Sequence, residues 1–186
     1  MTITHVSTEN LAGWNDFSLM LGGACAVLAG LIFLALSINI DRILRVRGLS
    51  GRAGESVILF LNAVCLSGFV LMPQQSRAAL GIELLIAGVV TVCVLNTMAI
   101  HALRIPTRQP LSWRIFRIAT VQSAGLPVIL AGTSLLGWPS GGLYWYAGAV
   151  ILAVIAGTSN AWVLLVEVVR DRRYRPMDEG TSSENQ

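Results

Sequence analysis

From Phe17 to Ile40 the chain carries no charged residue, and the run ends at Asp41 with Arg42, Arg45 and Arg47 directly after it. A helix needs about 20 apolar residues to cross a hydrocarbon core of roughly 30 Å, so this one stretch is already long enough to span. Four further stretches meet the same length at 53–72, 79–101, 118–138 and 143–166, interrupted only by Glu55 in the second and Glu83 in the third. The runs are continuous rather than alternating every second residue, which points to helices and not to a barrel. The expected fold is an all-α integral membrane protein: a five-transmembrane-helix bundle occupying 17–169, between a polar N-terminal segment, 1–16, and a polar tail, 170–186.

Composition supports this. Hydrophobic residues make up 54% of the chain and charged residues 12%, where a soluble domain carries about 25% charged residues. Every basic residue is an arginine, and a net charge of +3 is too small and too dispersed for a nucleic-acid footprint. The first sixteen residues hold two acids and no basic residue, unlike the positive start of a signal peptide, so span one is expected to stay in the mature protein.

Arginine also sets the expected orientation. Arg42, Arg45, Arg47 and Arg52 follow span one, Arg104, Arg108, Arg114 and Arg117 separate spans three and four, and Arg170, Arg172, Arg173 and Arg175 follow span five. The opposite side has Arg77 alone. Arginine-rich short loops stay cytoplasmic, which places the N-terminus outside and the C-terminus in the cytoplasm. Trp14, Phe17, Trp138, Tyr144, Trp145 and Tyr146 then form an outer aromatic belt, with Trp113 and Phe116 on the inner face. Asp41 reads as a solvated boundary residue, with a pairing to Arg52 as the alternative. Glu167 and Arg170, three apart, read as a boundary ion pair. The amphipathic stretch around Trp113 and Phe116 suits the inner interface.

Small residues four apart mark faces where membrane helices meet. Span one offers Gly22, Ala26 and Gly30, and span five offers Ala149, Ala153, Gly157 and Ala161. At about 1.5 Å per residue, Ser37, Asn62, Asn96, Gln122 and Asn160 fall in one layer of the inner half. That layer reads either as an interhelical clasp, the favoured reading, or as a vestibule open to the cytoplasm. Glu83, a turn below the outer surface, is a candidate pathway acid. Pro127, inside span four, removes a backbone hydrogen bond and is a candidate hinge.

Catalytic constellations are missing from the sequence. Neither His5 nor His101 has a second histidine near it in a span, Cys25, Cys65 and Cys93 lie apart in separate spans, and no phosphate loop, nucleophile elbow or His-Glu-x-x-His occurs. No catalytic residue, metal site, cofactor or disulfide is expected. Three segments, "GWNDFSLMLGGACAVLAGLIFLALSINIDRIL", "LSGRAGES" and "LMPQQSRAALGIELL", resemble a family of small multi-span membrane proteins from high-GC bacteria, most of them uncharacterised. The resemblance covers Gly13 to Leu85; it implies a multi-span helical protein without an established activity, and no binding residue is carried over from it. The expected function is that of a non-enzymatic partner or regulatory subunit working through helix–helix packing, in contact with lipid and with a second copy or another membrane protein. The alternative is an oligomeric passive ion channel or small-solute transporter, its pathway running from the amide layer past Pro127 to Glu83.

Overall fold

The computed structural model describes residues 13–45, 49–103, 111–138 and 141–174. They form five long helices and one short one: α1 (Asn15–Ile38), α2 (Ile40–Arg45), α3 (Leu49–Val70), α4 (Arg77–Leu103), α5 (Leu111–Leu135) and α6 (Leu143–Tyr174). Four of them, α1, α3, α4 and α6, are long and apolar enough to cross a membrane, and the chain is a helical membrane protein. The tail from Arg175 and the segment before Gly13 lie outside the described residues, as do Arg104, Arg108 and the side chains of Trp113, Phe116, Glu167 and Arg170.

Helix ends depart from the apolar limits because an arginine ends a hydrophobic count without ending a helix. The backbone of α3 starts at Leu49, ahead of the expected 53, and α5 starts at Leu111, so the amphipathic stretch expected at the interface is continuous with the helix after it. α6 runs on to Tyr174, taking in the first residues assigned to the polar tail. At the other end of span one the helix breaks at Asn39, whose N–H bonds the Leu36 carbonyl and whose side-chain amide caps Ala35 at 2.9 Å. Asp41 then falls, exposed, in the first turn of α2.

Turn chemistry closes the opposite end. α5 ends at Leu135, and just beyond it Gly137 is held at φ 115°, where the Trp138 N–H reaches the Thr133 carbonyl and the Gly137 N–H reaches the Ser134 carbonyl, the glycine-terminated pattern that satisfies a helix's last carbonyls. The Ser76 hydroxyl accepts the Ala79 N–H at 3.1 Å and caps the start of α4.

α3, α4, α5 and α6 pack around a shared interior, each against two of the others, while α1 stands outside this ring with α3 as its main neighbour. Burial follows the same order. In the most apolar stretch of each helix, 50% of the residues are buried in α3 and 11% in α1. α1 contributes Ser18, Cys25 and Ala29, with Gly22 between them, a spacing of four and three that forms a narrow seam. Of the small-residue series expected on span one, Gly22 packs against α3, while Ala26 and Gly30 are exposed. On α6, Ala149, Ala153 and Gly157 are buried and Ala161 is half-buried.

The tightest seam joins α4 to α5, a pair that the small-residue reading of spans one and five did not include. A methyl group on Gly132 would lie 2.7 Å from the Leu85 backbone nitrogen and 2.8 Å from the Gly81 carbonyl oxygen, and one on Gly88 would lie 2.9 Å from the Ile129 nitrogen. Backbone cannot yield as a side chain can. Overpacking of this kind costs about 1–3 kcal/mol, so Gly132→Ala is expected to lower stability by that amount. Gly68→Ala, with nothing within 4 Å, is the control expected to stay within about 0.5 kcal/mol, both read by unfolding in mixed micelles.

Candidate functional site

Polar contacts tie the helices together, and α3 takes part in most of those described below. At the tryptophan-rich end, the Tyr146 hydroxyl of α6 donates to Ser18 Oγ of α1 at 3.2 Å and lies 3.0 Å from Ser67 Oγ of α3. All three side chains are buried. Sequence reading places Tyr146 in the aromatic belt with Tyr144 and Trp138; those two are exposed, whereas Tyr146 is the largest fully buried side chain among the described residues. Tyr144 and Tyr146 are two positions apart, and about 200° of helical rotation turns one outward and the other inward. Trp14 packs edge-on against Tyr144 and Phe17 against Tyr146, joining the ends of α1 and α6.

Farther along, Thr91 of α4 donates to Asn62 Oδ1 of α3 at 2.8 Å, and Gln122 of α5 donates to Asn96 Oδ1 of α4 at 2.6 Å. The layer of five therefore divides. Asn62 and the Asn96–Gln122 pair make interhelical bonds, Ser37 turns back to the Phe33 carbonyl of its own helix at 2.8 Å on an exposed face, and Asn160 is half-buried on α6. Thr91, the partner of Asn62, carries no signal in sequence, since a lone threonine in an apolar helix is ordinary. Asn62 Nδ2 and Gln122 Oε1 are buried without a partner among the described residues.

Two acids occupy different settings. Glu83 is half-buried and receives a 2.6 Å hydrogen bond from Gln75, in the turn before α4. Glu55 sits at the mouth of span two when the span is counted from Ala53, but α3 begins at Leu49, which carries Glu55 about 9 Å along the helix to a position of 0% exposure. Its neighbour Ser56 donates to the Gly157 carbonyl of α6 at 3.2 Å, where the Phe60 ring would lie 2.7 Å from any Cβ on Gly157. Between the amide contacts and Glu83 the interior is filled by Leu84, Val128, Ala131, Leu66 and Phe60, all at 0–1% exposure. α5 runs unbroken through Pro127.

The three cysteines stand apart, Cys25 buried and Cys65 and Cys93 exposed, and His101 is exposed at the end of α4. Among the described residues no three His, Cys, Asp or Glu side chains come together as a metal site would require.

A cleft of about 300 Å³ opens between α1 and α6, with α3 as its floor. Its walls are Ile32, Ala35 and Leu36 on one side and Thr158, Ala161 and Leu165 on the other, and Asn39, Ser56 and Thr158 are the polar residues of a mainly apolar lining. No family model matches the chain, and no curated protein or solved structure does either.

An average hydrogen bond between membrane helices contributes about 0.6 kcal/mol. Tyr146→Phe, which keeps the ring and removes both hydroxyl contacts, is expected to cost roughly 1 kcal/mol. In a double-mutant cycle with Ser18→Ala the coupling should be about 0.6 kcal/mol, while Tyr144→Phe leaves unfolding unchanged.

Proposed function

We propose that this chain is a non-enzymatic integral membrane protein acting as a partner or regulatory subunit, and that it docks through the free face of α1. The observation that carries this reading is a small-residue stripe that intrachain packing does not use. Gly23, Ala26 and Gly30 are exposed, and neither glycine has an atom within 4 Å of where its side chain would begin. Flanking them, Leu19, Val27, Phe33 and Leu34 are 57–66% exposed. Helices in lipid associate where small residues let backbones approach, so this face suits a second copy of α1 or a helix of another membrane protein.

In this reading the chain crosses a bacterial inner membrane five times, with the N-terminus outside and the C-terminus in the cytoplasm. Support comes from α5, whose Ala124, Val128 and Ala131 are buried between its neighbours as a spanning helix of the same ring would be, and from the arginines of 42–52, 104–117 and 170–175, which fall in alternate loops along the sequence. A channel within a single chain would need a polar path from Asn96 and Gln122 to Glu83. The apolar side chains that fill that interior favour the subunit reading instead.

Gly23→Leu and Gly30→Leu test it. Both variants are expected to unfold within about 0.5 kcal/mol of wild type, because the added side chains meet open space, and to lose the crosslinked complex that wild type forms in its native membrane. A complex that survives both substitutions would place the contact elsewhere.

A further inference from the structure

The cleft between α1 and α6 lies on a different side of α1 from the small-residue stripe. At about 100° per residue, Ile32, Ala35, Leu36 and Asn39 face almost opposite to Gly23, Ala26 and Gly30. Its shape says what fits. Near the tryptophan-rich end α1 and α6 are held together by the Tyr146–Ser18 hydrogen bond and the Trp14–Tyr144 ring contact, and only toward the arginine-rich end do they stand apart. The walls run from Ile32 to Asn39 and from Thr158 to Leu165, about 10 Å each at 1.5 Å per residue. A partner helix crossing roughly 30 Å of hydrocarbon would be stopped by the closed end, whereas an acyl chain needs no more than one leaflet.

The arginine-rich end supplies the headgroup chemistry. There Ile43 of α2 and Leu49 at the start of α3 pack with Leu36 and Leu164, the latter two also lining the cleft. This places α2, the helix that carries Arg42 and Arg45, at the cleft's mouth, with Asp41 its one acid. Trp162, 66% exposed on the cleft's edge, is the kind of residue that sits at headgroup level. Basic clusters beside gaps between membrane helices bind anionic headgroups.

We propose that this cleft is a lipid site: it seats one acyl chain of an anionic phospholipid, whose phosphate lies beside α2, the helix that carries Arg42 and Arg45. It rests on the membrane character of the helices and not on the α1 docking face, so either idea can fail without the other.

The test is native mass spectrometry of the full chain released from nanodiscs holding equal amounts of phosphatidylglycerol and phosphatidylcholine. One phosphatidylglycerol per chain should remain bound, with a preference of roughly tenfold or more, as one to two arginine contacts would give. Ala35→Trp and Thr158→Phe, each filling the cleft from a different wall, should release it. Ala24→Trp, on the exposed side of α1 outside the cleft, should retain it. Arg42→Gln combined with Arg45→Gln should bring the preference to within about twofold. Equal retention of both lipids by wild type, retention undiminished in both cleft-filling variants that still fold, or a protein adduct formed by a photocrosslinker at Ala35 in native membranes would each overturn the proposal.

Discussion

A polar side chain in hydrocarbon must find its partner within the protein, at a cost of several kcal/mol if it does not, and the arrangement of this bundle follows from where those partners are. α3 provides most of them. It offers Ser67 to Tyr146, Asn62 to Thr91 and Ser56 to the Gly157 carbonyl, reaching α6 twice and α4 once. With two adjacent stripes engaged, half of its apolar stretch is buried. Around it, dispersion completes what hydrogen bonding starts, because Gly22 against Ser67 and Gly157 against Phe60 let the backbones approach as closely as their side chains allow.

α1 depends on that centre without enclosing it. It meets α3 along the seam of Ser18, Gly22, Cys25 and Ala29 and leaves its remaining circumference open. This asymmetry generates both surfaces with functional interest: the small-residue stripe turned outward and the cleft left where α1 parts from α6. The α4–α5 pair is the opposite case. Its glycines at 81, 88, 125 and 132 are used against each other, which gives the ring a rigid far side and leaves few small residues there for outside contacts.

The helices themselves were legible because apolar runs of this length admit one solution in a bilayer. Their ends were less so. Arg52 and the arginines of 114–117 lie within helices, and a count that stops at charge cannot tell the edge of the hydrocarbon from the end of hydrogen bonding. For the same reason Glu55 falls at the mouth of span two when the span is counted from Ala53, yet its side chain is buried. Faces were harder still: Gly22, Ala26 and Gly30 share one spacing in sequence, yet Gly22 meets Ser67 while the other two meet nothing, since a stripe's period does not say which neighbour it faces. Of the amide layer, Asn62, Asn96 and Gln122 do join helices, but Tyr146, Ser67 and Ser18 form a three-helix contact with no comparable signal, two of them being serines of a common kind and the third an aromatic residue in an interfacial cluster.

α3 is the hub of the bundle, and α1 is attached through it. Cysteine pairs introduced into a cysteine-free chain and oxidised in membranes test this most directly. Gly22→Cys with Ser67→Cys (α1 to α3) and Asn62→Cys with Thr91→Cys (α3 to α4) should bridge within one chain, while Ala26→Cys paired with Leu130→Cys (α1 to α5) should not. Bridging of α1 to α5 within a chain, or failure of the α1–α3 pair in a protein that still folds, would mean that α1 is not attached through α3.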